Sequence, residues 1–235
     1  AYQDKEVLHD ITVTLPKNSL TALVGPSGSG KSTVMKLCAR FYDPQQGRIS
    51  FGGVPMDEIA PESLMSHISM VFQDVYLFQD TIRNNIRFGK TDATDEEIIA
   101  AAKKACCHDF IMRLPQGYDT MVGEGGCTLS GGEKQRISIA RAMLKDAPVI
   151  LLDEATAWLD PENEVEVQKA IDSLIKGRTV IAIAHRLKTI KDADRIIVLD
   201  NGRIKEEGTH DELIRKEGFY AHLWNIQESI SGWKL

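Results

Sequence analysis

The sequence predicts an α/β fold in which a mostly parallel β-sheet is covered by helices. Short apolar runs that suit buried strands alternate with helix-like segments near both ends of the 235-residue chain. Between them, from about Val75 to Lys145, the signals are mostly helical. Parallel strands are joined by helical crossovers. The alternation therefore indicates a parallel sheet, and the helical stretch indicates an insertion that splits it.

Two candidate strands and a helix open the chain. Apolar residues alternate from His9 to Leu15, which is typical of a strand with one buried face. Leu20 to Val24 is a continuous apolar run that ends at Gly25, as expected for a buried strand. A helix is predicted from Lys31 to about Arg40.

An edge hairpin is predicted next, because Ile49 and Phe51 precede the turn dipeptide Gly52-Gly53. It indicates an antiparallel β subdomain beside the parallel sheet. Ile68 to Phe72 then reads as another short buried strand.

Helices in the middle of the chain carry N-terminal signals. Thr94 with Glu97 makes a capping box before an apolar, alanine-rich run. Gly131 to Leu144 has helix-forming composition, and Pro161 to Lys176 is helix-like.

Strand signals return in three later apolar runs, which are Val149–Leu152, Thr179–Ile183 and Arg195–Leu199. Asn201-Gly202 predicts a hairpin after the last of them. Thr209 with Glu212 predicts the start of a short terminal helix.

Composition limits the classes of protein that are possible. Lys and Arg number 28 against 34 Asp and Glu, so the net charge is −6, and no general positive field attracts nucleic acid. The four cysteines, Cys38, Cys106, Cys107 and Cys127, lack metal-site spacing and predict reduced thiols in the cytosol. Apolar runs of only a few residues are too short to span a bilayer, and no signal peptide is recognised.

A phosphate-binding loop is predicted between the second strand and the first helix. Gly25 to Ser32 matches the pattern GxxxxGK[ST]. Its glycines let backbone N–H groups converge on phosphate, Lys31 would neutralise the β- and γ-phosphates, and Ser32 would bind Mg²⁺. The alternative is a glycine-rich turn with a surface lysine. The candidate nucleotide-binding residues are Gly25, Pro26, Ser27, Gly28, Ser29, Gly30, Lys31, Ser32 and Thr33.

An acidic pair follows the strand Val149–Leu152. Asp153 is the expected holder of Mg²⁺, and Glu154 is the expected general base that activates the attacking water. Alone, such a pair is often a solvated strand end. Its occurrence with the phosphate loop favours a nucleotide-hydrolysis site.

A third motif, Leu129-Ser-Gly-Gly-Glu-Lys-Gln-Arg136, resembles the signature of ABC transporter ATPases, with Glu133 where glutamine is usual. Ser130 is a suitable N-cap, and Gly131 and Gly132 would expose N–H groups to a second phosphate. A capped helix without a ligand is the plain alternative for this motif alone.

The resemblance assigns further residues in the order that the family has them. Gln73 is similar to the glutamine that contacts Mg²⁺ or the attacking water, and His185 to the switch histidine on the γ-phosphate. Asp160 resembles the D-loop aspartate, although Trp158 departs from the usual pattern. Tyr2 is in the position of the aromatic residue that stacks on adenine.

The resemblance covers about Tyr2 to Gln227 and implies a RecA-like P-loop NTPase fold that binds ATP and Mg²⁺. It divides residues 1–235, one domain, into a core of 1–74 and 146–235 and a helical subdomain of 75–145. The family's first strand is missing before Tyr2, so we expect a fragment of a longer transporter, of the type fused to a six-helix transmembrane domain.

The expected activity is ATP hydrolysis coupled to transport. The implied partners are a second nucleotide-binding domain and a transmembrane domain, at the cytoplasmic face of the membrane, without nucleic acid. Three alternatives are a soluble ABC ATPase acting on DNA or ribosomes, a non-hydrolytic nucleotide switch and a small-molecule P-loop kinase. The compact acidic chain disfavours an ATPase that acts on DNA or ribosomes. Glu154 and His185 disfavour a non-hydrolytic switch, and Ser130-Gly-Gly132 disfavours a small-molecule kinase.

Overall fold

The computed structural model describes residues 6–126, 128–153, 161–184 and 187–231. The fold is mixed α/β with a mostly parallel six-stranded sheet and a separate two-stranded one, which confirms the predicted class. Two compact units are distinguished. The first contains Ala1–Met65 and Thr179–Leu235, and the second contains Ser66–Arg178. The division predicted from the sequence, 1–74 and 146–235 against 75–145, stays a prediction.

The strands, in chain order, are β1 (Leu20–Val24), β2 (Ser50–Phe51), β3 (Val54–Pro55), β4 (Ile68–Val71), β5 (Val149–Asp153), β6 (Thr179–Ile183), β7 (Arg195–Asp200) and β8 (Arg203–Gly208). The α-helices are α1 (Lys31–Cys38), α2 (Pro61–Ser66), α3 (Ile82–Arg87), α4 (Asp95–Lys104), α5 (His108–Arg113), α6 (Gly131–Lys145), α7 (Pro161–Ile175), α8 (His210–Arg215) and α9 (Phe219–Ser231). None of the helices within the described ranges is long and apolar enough to cross a membrane.

In the first unit, β1 lies between β6 and β7 and pairs with both in parallel. The Asn201-Gly202 turn reverses the chain, so β8 pairs antiparallel with β7. Apolar side chains of β1 and β7 pack with Leu187, Leu213 and Tyr220 in one core. The predicted Gly52-Gly53 hairpin is confirmed as the antiparallel pair β2 and β3.

The second unit is organised around α6, which contacts α3, α4 and α7. Its residues from Gln135 to Ala140 are all buried. A helix that is covered on most sides must satisfy its polar side chains within the protein. The same unit contains β4 and β5, which pair in parallel.

The predicted strand from His9 to Leu15 is wrong. Ile11, Val13 and Leu15 are half-buried while the residues between them are exposed, so the side chains alternate as expected. The segment nevertheless has no strand ladder in the described part of the chain. An alternating pattern reports which side chains are covered, and pairing additionally needs a neighbouring strand.

Candidate functional site

The predicted phosphate loop lies between β1 and α1. Gly25, Gly28 and Gly30 have φ angles of 146°, 79° and 104°, which other residues rarely adopt. A Cβ atom at Gly25 would lie 2.1 Å from the carbonyl oxygen of Leu199. The glycines are therefore required by the backbone path itself, and the path ends at the positive N-terminus of α1.

Lys31 points back over this loop. Its side chain is 6% exposed, and Nζ donates hydrogen bonds to the carbonyl oxygens of Gly25 at 2.9 Å and Pro26 at 2.8 Å. The loop thus holds a buried ammonium group next to a helix N-terminus. Both features favour an anionic ligand.

Ser29 adds a polar group inside the loop. It is 3% exposed, and its Oγ has no hydrogen-bond partner among the residues that the structure describes. Its N–H donates to the carbonyl oxygen of Pro26 at 3.2 Å. A buried hydroxyl without a partner is costly unless a ligand or water satisfies it. Together with Lys31, this hydroxyl fits a loop built to bind a polyphosphate.

The loop is supported from outside by Gly202, which the sequence indicated only as a turn residue. The N–H of Gly202 donates to the carbonyl oxygen of Ser29 at 3.1 Å, and its own carbonyl accepts from the N–H of His9 at 2.8 Å. A Cβ atom at Gly202 would lie 2.0 Å from the carbonyl oxygen of Val7. The turn is therefore wedged between the loop and the segment that contains Val7 and His9.

Two predicted magnesium ligands, Gln73 and Asp153, lie at the carboxyl ends of neighbouring strands in the second unit. Val71 of β4 is in register with Leu152 of β5. Asp153 is the residue after Leu152, and Gln73 follows Val71 by two residues, so both leave the carboxyl ends of neighbouring parallel strands. Asp153 is half-buried and Gln73 is exposed. Ligand sites of parallel sheets lie at this end of the strands.

The signature motif starts α6 as predicted. Ser130 is the N-cap: its Oγ accepts from the N–H of Glu133 at 3.3 Å, and the Glu133 carboxylate accepts from the N–H of Ser130 at 2.8 Å. Glu133, the departure from the usual glutamine, therefore completes a capping box. A Cβ atom at Gly132 would lie 2.5 Å from the Cβ of Asn163, so this glycine is also required for packing against α7.

Comparison with known proteins agrees with these motifs. Residues 8–157 match the family described as ABC transporter. The chain belongs to the ABC transporter family.

Relatives of this ABC domain are much longer proteins. An ATP-dependent lipid A-core flippase of Legionella pneumophila (strain Paris) is 52% identical over 226 residues, which are 96% of this chain and 38% of that protein. The putative multidrug export ATP-binding/permease protein YgaD of Bacillus subtilis (strain 168) is 53% identical over 226 residues, 96% of this chain and 39% of that protein. A solved structure of a bacterial Atm1-family ABC exporter with ATP bound has a TM-score of 0.91 and 48% identity, covering 97% of this chain and 40% of that one.

The domain spans about two fifths of the length of these relatives. It corresponds to their nucleotide-binding domain, which is an ATP-binding domain.

Four residues of the ABC assignment lie outside the described residues. They are Tyr2, Glu154, Asp160 and His185. Lys31 and its loop belong to the first unit, whereas Gln73, Ser130 and Asp153 belong to the second. The loop is therefore described within the first unit, and the strand ends and the signature helix within the second.

The ABC domain also has an aromatic patch that sequence analysis did not identify, formed by Tyr76, Phe78 and Phe88. These side chains are 56%, 40% and 53% exposed. The rings of Phe78 and Phe88 stack with centroids 4.2 Å apart, and the Arg141 guanidinium lies 5.8 Å and 5.9 Å from the two centroids. Burial lowers the pKa of Arg141 from its ordinary value.

Asn85 fixes the segment that carries this patch. It is fully buried, its Oδ1 accepts from the N–H of Phe78 at 2.9 Å and from Arg141 at 3.2 Å, and its Nδ2 donates to the carbonyl oxygens of Phe78 and Thr81, both at 3.0 Å. In the sequence, Asn84-Asn85 reads as a polar pair in a helix. Nothing local distinguishes the buried asparagine from the half-buried one.

Proposed function

We propose that this chain is the ATP-hydrolysing motor domain of a membrane transporter and that it works as a head-to-tail dimer. The observation that carries the proposal is the phosphate loop, in which glycine geometry, a buried ammonium group and a helix N-terminus coincide. Family membership supports the same function. A soluble ABC ATPase remains the alternative.

The chain's own residues would hold the nucleotide as follows. Lys31 would exchange its bonds to the loop carbonyls for bonds to phosphate oxygens, and the residues from Gly25 to Thr33 other than Pro26 would surround the phosphates with backbone N–H groups. Ser32, Gln73 and Asp153 would supply the oxygen ligands that Mg²⁺ prefers, and the chemistry that a bound Mg²⁺ would add is neutralisation of phosphate charge. Within the described ranges, no three or more His, Cys, Asp or Glu side chains are grouped so that they could hold a metal ion. Such a group is not needed, because Mg²⁺ usually takes few protein ligands when substrate phosphates supply the others.

The remaining roles follow from the family resemblance. Glu154 takes a proton from the attacking water, and His185 contacts the γ-phosphate. Asp160 belongs to the dimer contact, and Tyr2 stacks on adenine. Each of these roles is a proposal for residues outside the described ranges.

The dimer explains why one chain has two phosphate motifs. Ser130, Gly131 and Gly132 would close on the γ-phosphate of the nucleotide held by Lys31 of the partner chain. Hydrolysis should then depend on protein concentration with an order above one. Glu154→Gln with Mg-ATP should trap the dimer, because the ligand is bound but not destroyed.

Ser130→Arg tests this composite site, in which Ser130 of one chain contacts the nucleotide held by Lys31 of the other. It should prevent the trapped dimer and leave ATP binding to the monomer intact, measured by light scattering and a fluorescent ATP analogue. Thr94→Arg is the matched control, because Thr94 forms the same kind of capping box on α4. The composite site would be contradicted if Thr94→Arg also lost the dimer. It would equally be contradicted if a monomeric sample kept constant activity per molecule over about a hundredfold dilution.

A transmembrane partner at the cytoplasmic face fits the aromatic patch of Tyr76, Phe78 and Phe88. Exposed aromatic clusters commonly mark interaction sites. In the full-length transporter, Phe88→Ser should leave ATP binding unchanged and reduce transport. Met112→Ser is the control, since Met112 is 58% exposed in the same unit but outside the patch. Equal effects of the two substitutions would argue against docking at the patch.

A further inference from the structure

The signature helix α6 holds neighbouring segments through side-chain hydrogen bonds to backbone carbonyls. Lys134 Nζ donates to Gly125 at 3.3 Å, Gln135 Nε2 donates to Phe72 at 3.3 Å, and Lys145 Nζ donates to Ile68 at 2.7 Å. These contacts lie at both ends of the helix. The helix that begins with Ser130 therefore contacts both ends of β4.

Gln135 makes the contact that matters for chemistry. Phe72 lies just past the end of β4 and immediately before Gln73. Phe72 is exposed, but Gln135 is only 3% exposed, so its enclosed amide would lose its acceptor if it left the Phe72 carbonyl. The bond therefore fixes the backbone from which the Gln73 side chain extends.

The distance from the signature to this contact is short. Ser130 and Gln135 are five residues apart, about 7.5 Å along the helix axis. The capping box at Ser130 and Glu133 makes the first turn rigid. A displacement of Ser130 is thus carried to the Phe72 carbonyl without an intervening flexible joint.

We propose that Gln135 is a positioning residue that couples the signature of each chain to Gln73 of the same chain. The inference rests on the proposed function, in which Ser130 contacts the partner's nucleotide and Gln73 serves the chain's own. When Ser130 closes on the nucleotide held by the partner chain, Gln135 then positions Gln73 at the nucleotide held by its own chain. Gln135 acts through Gln73 and does not contact nucleotide.

Gln135→Met tests the contact, because methionine has a similar shape but no donor. We expect kcat to fall roughly three- to tenfold, the factor that one hydrogen bond supplies. ATP affinity of the monomer and trapping of the dimer in the Glu154→Gln background should not change. Gln135→Leu, which also lacks the donor, replaces the methionine variant if that variant does not fold.

Lys145→Met is the matched control. It removes the same kind of bond, from the same helix to the same strand, but at Ile68, the first residue of β4, at the opposite end of the strand from Gln73. It should lower the melting temperature and leave kcat within about twofold of wild type, less than one hydrogen bond supplies.

A double-mutant cycle separates coupling from a merely structural role. In a Gln73→Ala background, Gln135→Met should have no further effect on kcat, because the residue through which it acts is gone. Equal losses in both backgrounds, or an equal loss with Lys145→Met, would overturn the inference. If the wild-type chain itself neither hydrolyses ATP nor dimerises, the proposed function has failed instead.

Discussion

Replacing Lys31 by methionine separates two roles of one ammonium group. In the structure Nζ already binds the carbonyl oxygens of Gly25 and Pro26, at 2.9 Å and 2.8 Å. The substitution should therefore destabilise the domain even without nucleotide. It should also remove the main cationic partner of the phosphates.

The size of the first effect follows from the two bonds. A hydrogen bond to a charged group contributes about 1.5–3 kcal/mol. Pro26 is exposed, so water can replace the ammonium at its carbonyl. We therefore expect a loss of about 2–4 kcal/mol in the free energy of unfolding. For a chain of this length, each kcal/mol lowers the melting temperature by about 2–4 °C, giving a fall of about 4–16 °C.

The second effect appears on adding Mg-ATP. When the concentration of free Mg-ATP is about 100 times its Kd, binding stabilises the wild-type domain by about 2.7 kcal/mol. The expected rise in melting temperature is about 5–11 °C. Lys31→Met should show no such rise at the same nucleotide concentration.

Thermal melts followed by circular dichroism measure both effects. Lys36→Met is the control, because Lys36 lies on the same helix but outside the motif. It should retain the nucleotide-dependent rise. An unchanged melting temperature without nucleotide would refute the role of the two carbonyl contacts. A full nucleotide shift in Lys31→Met would refute the assignment of the phosphate loop.

Three further expectations concern other parts of the domain. Asn85→Ala should lower the free energy of unfolding by about 2–5 kcal/mol, because the backbone groups of Phe78 and Thr81 lose their buried partner. Asn84→Ala should cost clearly less in the same melts. Glu154→Gln should bind ATP normally and lower turnover at least about a hundredfold through loss of the general base, so retained turnover would place the base elsewhere. Burial raises the pKa of the Cys107 thiol to about 12, so at pH 8 it should react with a thiol reagent far more slowly in the folded domain than in denaturant.

Features with local causes were predictable from the sequence. The helix N-caps at Thr94, Ser130 and Thr209 all form as expected, because a side chain and an N–H group three residues apart decide them. The strand Leu20–Val24 and the loop after it were also predictable, because a continuous apolar run and a glycine-rich motif are local signals. The family signature adds roles that no local pattern contains.

Features that depend on distant contacts were not predictable. Gln135 and Arg141 look like ordinary polar residues of a helix, and only the fold shows that they bind the backbone of residues 72 and 76. The alternation from His9 to Leu15 reported exposure correctly but could not report that this segment pairs with no strand among the described residues. The motifs therefore predict which residues carry the chemistry, and the packing of α6 shows which side chains hold the neighbouring backbone.

The turn at Asn201-Gly202 has a consequence for engineering the domain. Hairpin tips are usually where peptides, labels and fused proteins can be inserted. Here Gly202 bonds through its N–H to Ser29 and through its carbonyl to His9. An insertion at this tip would break the hydrogen bond from Gly202 to Ser29 and so remove the backbone support of the phosphate loop. We expect it to abolish ligand binding without touching the loop's own sequence. Gly177, exposed and with free space around it, is the better place for a tag.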